Sequence, residues 1–255
     1  MIFAFNHKPH IIIGMHRSGT TMLSKLLSAA GIFMGADLTG NHESWFFESL
    51  NKQLLEANGF SWDNPGISVN TTSVGFSEKI FVRDFLAVKN HPSRLISFYS
   101  GMKWGWKDPR NTFTLNHWLK KFPEAKVIHI YRNGIDVALS LFARNQKLGS
   151  TDKHFSAGLN EKQRGMDLWQ KYLDQAFSFE NILNEQMITL RYENLIRSDQ
   201  SEISKLEKFV GVSLRSHLEK LADPSKSEPF RNTDESELIQ YAAQISWMKK
   251  LNYLS

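Results

Sequence analysis

The chain contains no cysteine, which excludes disulfides, thiolate zinc sites, iron–sulfur ligation and a cysteine nucleophile. Long hydrophobic runs are missing too, since no window approaches the ~18 apolar residues of a membrane span. The opening stretch from Met1 to His10 lacks a basic leader, a continuous apolar core and a small-residue cleavage site, so it does not read as a secretory signal. Together these absences give the expectation of a soluble, cytoplasmic protein with no membrane span. Charge of one sign is not concentrated anywhere. Lys and Arg number 31 against 26 Asp and Glu, a net +5, and the longest basic runs are pairs such as Lys120-Lys121 and Lys249-Lys250. A nucleic-acid footprint would be a clustered stripe. No nucleic-acid partner is therefore expected, while the modest positive excess favours anionic ligands. Internal repeats and low-complexity tracts are also absent.

What remains is an ordinary globular composition of 255 residues, 41% hydrophobic and 22% charged. A chain of this size can bury roughly 70–75% of the surface its unfolded form exposes, enough for one domain over residues 1–255 without a metal or cross-link. His10 to Gly14 reads as a short β-branched strand. A loop follows, then an amphipathic helix with Met22, Leu23, Leu26, Leu27 and Ala30 at helical spacing and Gly31 as its stop. Residues 41–58 read as an aromatic loop entering a helix, 61–77 as a surface loop, and 78–90 as a helix ended by His91-Pro92. Lys126 to Arg132 is a second strand, followed by a turn at Asn133-Gly134 and a helix through Phe142. Residues 161–184 predict one long helix and Met187 to Arg191 a third strand. Residues 199–211 predict a helix with Asp199 and Glu202 at capping-box spacing, 222–234 a polar loop, and the last segment a helix through Leu251. Strands alternating with helices predict an α/β fold, a P-loop-like parallel β-sheet flanked by helices on both faces, with ligands at the carboxyl ends of the strands.

Gly14 to Thr21 fits G-x-x-x-x-G followed by Thr-Thr, the phosphate-loop pattern except that Thr20 stands where a nucleotide kinase needs lysine. Backbone N–H groups of such a loop and of the following helix form an anion nest whatever the side chains are. Ser18, Thr20 and Thr21 add hydroxyl donors, and Arg17 supplies the fixed positive charge that the lysine would have given. Five specified residues, Arg17-Ser18-Gly19-Thr20-Thr21, arise by chance in a chain this long about once in several thousand. Further on, Arg132 ends a strand and Ser140 follows eight residues later in the next helix. That spacing lets a guanidinium and a hydroxyl converge on one phosphate at the sheet edge.

These blocks resemble a known family, the sulfotransferases that use 3′-phosphoadenosine 5′-phosphosulfate (PAPS). His16-Arg17-Ser18-Gly19-Thr20-Thr21 is similar to their 5′-phosphosulfate loop, and Tyr131 to Leu141, with Arg132 and Ser140, is similar to their 3′-phosphate motif. Trp106-Lys107-Asp108-Pro109-Arg110 resembles the Lys-Asp-Pro segment of tyrosylprotein and bacterial carbohydrate sulfotransferases. Phe122 to His129 resembles their lead-in to the second strand, and Leu190 to Leu195 a later Tyr-Glu-x-Leu segment. The resemblance runs in scattered blocks from about Ile11 to Val212. It implies PAPS as co-substrate held by Arg17, Ser18, Gly19, Thr20, Thr21, Arg132 and Ser140, with no metal. Two departures stand out. Met22 occupies the place where cytosolic members carry an adenine-binding tryptophan, and their C-terminal Arg-Lys-Gly loop is missing, with Arg231 of Phe230-Arg231 as its candidate substitute.

Sulfuryl transfer passes through a loose, in-line transition state, so positive groups must face the leaving bridging oxygen. Arg17, by its loop position, and Lys107, by the resemblance, are the candidates. The alternative for Lys107 is a surface pair with Asp108. A base must take the acceptor's proton, and the resemblance directs attention to Asn41 to Glu48. Glu48 is the first choice, because an aromatic shell from Phe46-Phe47 would raise its pKa from about 4.3 toward the working range. Glu43 and His42 are the reserves. His129, within an apolar strand, reads as a sheet residue rather than a base. Trp45, Phe46, Phe47 and Trp62 either line a sugar platform or fill a core. The acceptor is expected to be a carbohydrate or small metabolite, with a peptide tyrosine also compatible. Two other functions compete: a P-loop nucleotide kinase-like enzyme, which would need a lysine at position 20 and a magnesium-organising aspartate, and a non-catalytic nucleotide-binding module.

Overall fold

The computed structural model describes residues 8–66, 74–152, 154–221, 223 and 235–254. Four short strands, β1 (His10–Ile13), β2 (Gly105–Lys107), β3 (Lys126–Tyr131) and β4 (Met187–Arg191), form one sheet in the order β2-β1-β3-β4. All three pairings are parallel, with Ile12 of β1 opposite both Lys107 and Ile128. Parallel neighbours need long crossovers, and helices supply them. After β1 come α1 (Thr20–Ala29), α2 (Trp45–Glu56), α3 (Glu78–Ile80) with a π-helical turn at Phe81–Phe85, and α4 (Ser93–Tyr99). After β2 comes α5 (Asn111–Lys121), and after β3 come α6 (Gly134–Asn145), α7 (Lys162–Phe177) and α8 (Glu180–Leu183). β4 is followed by α9 (Tyr192–Ile196), α10 (Gln200–Val210), α11 (Arg215–Leu221), α12 (Ser236–Ala242) and α13 (Ser246–Lys250).

Alternation along the strands divides the core between two faces. Ile11, Ile13, Trp106 and Val127 face one way and pack with Phe47 and Leu54 of α2 and Leu115 and Trp118 of α5. Ile12, Ile128, Ile130 and Leu190 face the other way and meet Leu23, Leu26 and Leu27 of α1 and Ile203 and Leu206 of α10. Burying each such side chain contributes about 1.5–3 kcal/mol. Helices thus cover both faces, as the alternation of strands and helices in the sequence predicts. A third cluster joins α6, α7, α12 and α13 around Trp169 and Met166.

Several element boundaries differ from the sequence expectations. Residues 78–90 do not form one helix: the backbone passes from α3 into the π turn and breaks at Ala87, whose φ of +48° no helix accommodates. Pro92 does not merely end that segment but caps the start of α4, as its fixed φ of −57° permits. Residues 161–184 divide into α7 and α8, and the C-terminal segment divides into α12 and α13. Asp199 caps α10 by accepting from the Glu202 N–H at 2.9 Å. The reciprocal half of the box is not made, because the Glu202 carboxylate accepts instead from the Arg191 N–H. Within the expected loop at 61–77 the described residues form neither helix nor strand; 67–73 lie outside the described residues. Among the described residues no helix is long and apolar enough to cross a membrane.

Candidate active site

From β1 the chain passes to β2 on one side and then crosses to β3 on the other. The loops after β1 and β3 therefore flank the point where the strand order reverses, the usual place for a ligand in such a sheet. A cavity of about 430 Å³ opens there, lined by the β1–α1 loop, Lys107, Arg132, Arg144, Glu43 and Tyr192.

The loop keeps its shape through two glycines. Gly14 has φ +135° and passes so close to β3 that a Cβ would come within 2.3 Å of the Ile130 carbonyl oxygen. Gly19 has φ +93°, and a Cβ there would lie 2.2 Å from the Tyr192 ring. Between them Arg17 takes a left-handed φ of +69°, an uncommon conformation for a side chain this large. The N–H groups of the first turn of α1, which begins at Thr20, have no intrahelical acceptor and border the cavity. Thr20 and Thr21 line it. Ser18 does not: its hydroxyl is fully buried with no hydrogen-bond partner.

The two sequence motifs meet in space. The Arg17 Nε donates to the Ser140 hydroxyl at 2.8 Å, and the Arg132 Nη1 lies 3.5 Å from the Arg17 carbonyl oxygen. Arg132 also pairs with Asp136 at 3.2 Å and lies 4.9 Å over the Tyr192 ring. Burial, then the Arg132 charge, pulls the Arg17 guanidinium below its ordinary pKa. The Tyr192-Glu193 pair supports both loops: Tyr192 packs on Gly19, while Glu193 accepts from the Asn133 N–H at 2.8 Å and from the Tyr253 hydroxyl at 2.9 Å.

Arg144 was not legible as a site residue, yet it lines the same cavity. It follows Ser140 by one helical turn on α6, which places the two on one face. Its Nε and Nη2 are buried without hydrogen-bond partners, and burial, then the Arg17 charge, lowers its pKa. His16 is a second such group. Its Nε2 has no partner, and burial holds the ring neutral, with its pKa far below the ordinary value.

Lys107 does not form the surface pair with Asp108 that the sequence left open. It is 1% exposed, its Nζ donates to Glu43 Oε1 at 2.6 Å, and it approaches the Thr21 hydroxyl at 3.4 Å. Phe47, stacked on Trp106 at 3.8 Å, fixes the end of β2 so that the next residue reaches the cavity. Burial raises the pKa of the Glu43 carboxyl, with Lys107 opposing. Asp108 is instead tied to Asn51 at 2.9 Å and to the Arg110 guanidinium at 3.0 Å.

The other acid–base candidates are placed elsewhere. Glu48 lines a separate cavity, with its carboxylate 3.8 Å from Arg110. Phe46 and Phe47 fill the core beside it. His42 bonds the Ser24 hydroxyl through Nδ1 at 2.8 Å, on the flank of α1. His129 is buried within β3, and burial lowers its pKa to about 3, as befits a sheet residue. Arg231 lies outside the described residues.

A glycine loop, a helix N-terminus and a cluster of guanidinium groups meet around one cavity, an arrangement whose chemistry suits a multiply charged anion. Residues 9–216 match the sulfotransferase family, and the chain belongs to that family. No curated protein matches it by sequence. Its fold is similar to that of the sulfotransferase domain from the curacin biosynthetic pathway (18% identity, TM-score 0.56, 94% of this chain and 97% of that one). It is also similar to the sulfotransferase domain of the Synechococcus PCC 7002 olefin synthase (16%, 0.57, 93% and 94%) and to a sulfotransferase from Alicyclobacillus acidocaldarius (14%, 0.51, 93% and 92%).

Proposed function

We propose that the protein transfers the sulfuryl group of PAPS to a hydroxyl of a carbohydrate or small-metabolite acceptor. The observation that carries this reading is the meeting of Arg17, Arg132 and Arg144 with the open N-terminus of α1 around one cavity, next to the buried Lys107–Glu43 pair. Gly19, Thr20, Thr21 and Arg17 would hold the 5′-phosphosulfate, and Arg132 would hold the 3′-phosphate. Ser140, through its bond to Arg17, would orient that guanidinium, and Arg144 would share the 3′-phosphate from the same helix face. Met22, Ile196 and Leu221 form the apolar side of the cavity, where the adenine would pack in place of the absent tryptophan contact.

Glu43 is favoured over Glu48 as the base because it lines the anion cavity and its carboxyl is raised toward the working range by burial. It would take the acceptor's hydroxyl proton as the new O–S bond forms and the S–O bond to the 5′-phosphate breaks. Lys107, between Glu43 and Thr21, would stabilise the charge gathering on the departing phosphate oxygen. The products are a sulfate ester and adenosine 3′,5′-bisphosphate. A P-loop kinase would need a lysine at position 20, and threonine stands there.

Calorimetric titration with adenosine 3′,5′-bisphosphate in chelator, and separately with ATP and magnesium, tests this. Micromolar binding of the bisphosphate without metal is expected, weakened by about 1.5–3 kcal/mol in Arg17→Ala and in Arg132→Ala. Binding of ATP–magnesium alone, or bisphosphate binding that neither variant weakens, would overturn the assignment.

A further inference from the structure

A second cavity of about 430 Å³ is lined by Trp45, Phe60, Trp62, Phe155, Glu48, Asp63 and Arg110. The wall between the two cavities is thin. Trp62 belongs to the second cavity, yet its ring lies 4.8 Å from His16 and 5.0 Å from the Arg144 guanidinium, both of which line the first. Arg110 lies 3.8 Å from Glu48 on one side and 4.0 Å from Glu43 on the other. A molecule held in the second cavity is therefore one side chain away from Glu43.

The two cavities differ in charge. The first presents Arg17, Lys25, Lys107, Arg132 and Arg144 against Glu43 and Asp223. The second presents Glu48, Glu56 and Asp63 against Lys52 and Arg110, with His154 beside them. Both cations of the second are already engaged: Lys52 is 3.7 Å from Glu56, and Arg110 bonds Asp108 and faces Glu48. Trp45, Phe60, Trp62 and Phe155 add four aromatic rings to the lining, and Trp45 is 55% exposed. Aromatic faces pack against the C–H face of a pyranose ring, and carboxylates accept hydrogen bonds from its hydroxyls. An anionic acceptor would meet three carboxylates, and each of the two cations already faces one of them or Asp108.

Resting on the sulfuryl-transfer reading above, we propose that this second cavity is the acceptor site and that it takes an uncharged sugar ring, rejecting uronic acids and other anionic acceptors. At the Arg110–Trp62 border of the cavity the sugar hydroxyl oxygen forms the new O–S bond as the S–O bond to the 5′-phosphate breaks and Glu43 takes the hydroxyl proton, which gives the sugar's sulfate ester and adenosine 3′,5′-bisphosphate.

The test uses the full chain with PAPS and three acceptor probes: methyl β-lactoside, a disaccharide of the same size ending in a uronic acid, and a tyrosine-containing tripeptide. Bisphosphate release is followed together with calorimetry of the bisphosphate alone. We expect kcat/KM for the lactoside to exceed that for the uronate at least about tenfold. Trp45→Ala should raise the lactoside KM by about three- to tenfold, the range one aromatic contact supplies, with bisphosphate affinity unchanged. Preference for the uronate or the tripeptide, or an unchanged lactoside KM in Trp45→Ala, would overturn the acceptor proposal while bisphosphate binding left the donor reading standing. Loss of bisphosphate binding in the unmodified chain would overturn both.

Discussion

Replacing Lys107 by methionine removes one partner of a buried ion pair whose members are 1% and 8% exposed and 2.6 Å apart. With so little solvent to screen it, the loss is that of an uncompensated buried charge, about 3–5 kcal/mol. For a chain of this size that corresponds to a fall of roughly 1–2 M in the urea midpoint. The abandoned charge belongs to Glu43, which has Asp108 nearby as a like charge and Arg110 at 4.0 Å as its remaining cation. Burial already raises its pKa and Lys107 opposes that rise, so removing Lys107 raises it further. Between the two values the variant's folded state holds a proton that the parent's does not. The destabilisation therefore grows with pH, by up to ~1.4 kcal/mol per unit, and is smaller at pH 5 than at pH 8. Adding Glu43→Gln removes the orphaned charge and recovers at least half of the loss, because neutral replacement of both partners is often close to neutral. Urea melts of the two single variants and the double variant at both pH values measure each quantity. A loss below about 1 kcal/mol at pH 8, or an equal loss at both pH values, would refute the picture of a desolvated pair.

Three further outcomes follow from the geometry. Glu43→Gln lowers kcat by about 10²–10⁴, while Glu48→Gln leaves it within a few-fold. Because the base must be ionised, the parent's kcat/KM falls as pH drops through a limb above the usual carboxylate range, and that limb disappears in Glu43→Gln. Gly19→Ala forces a left-handed φ on alanine, at about 1–2 kcal/mol, and drives its methyl into the Tyr192 ring beneath Arg132. Bisphosphate titration should show more than tenfold weaker binding, and unchanged affinity would contradict the packing. His10 and His129 are held neutral by burial at about 4 and about 3, against an ordinary 6.5. Below pH 6.5 the unfolded chain binds the extra protons, so stability is lost toward pH 4 at about 1.4 kcal/mol per unit for each histidine. In a urea series against pH, His129→Leu removes its own share of that slope, up to about 1.4 kcal/mol per pH unit, and leaves the share of His10 and His16.

The parts legible in the sequence were those where backbone chemistry leaves a local mark. Gly14 and Gly19 stand at left-handed or crowded positions, β3 is a β-branched run, and Arg132 and Ser140 flank a turn made by Asn133-Gly134. The parts that escaped were set by contacts distant in sequence. β2 is three residues long, too short for any period, and is defined by its pairing with β1 and by Trp106 stacking on Phe47. α5 shows no clean apolar stripe, because Asn111, Thr112 and Thr114 are buried alongside Phe113, Leu115 and Trp118. In the sequence Glu48 ranks ahead of Glu43 because Phe46-Phe47 stand beside it. What separates them is which side of Arg110 each faces, a relation that exists only once α2 has docked on β2.

That docking depends on polar groups in the core. Asn51, fully buried on α2, donates to Asp108 at 2.9 Å and to Asn111 at 2.8 Å, and accepts from Thr114 at 2.6 Å and Trp118 at 2.8 Å. Asn111 in turn accepts from the Trp106 indole at 3.0 Å and donates to the Ile12 carbonyl at 3.0 Å. Apolar side chains of equal volume would fill this space at no loss of stability. They would also be free to slide, whereas a fully satisfied network admits one arrangement of α2, β2 and α5. The same arrangement places Asp108 to hold Arg110 through both its backbone N–H and its guanidinium. Arg110 then stands between the two cavities, and Lys107, one residue before Asp108, faces Glu43. A buried lysine next to a carboxylate is costly anywhere in a core, and here the network fixes that cost at the one place where sulfuryl transfer, as proposed, needs a cation and a base within a few ångströms of each other.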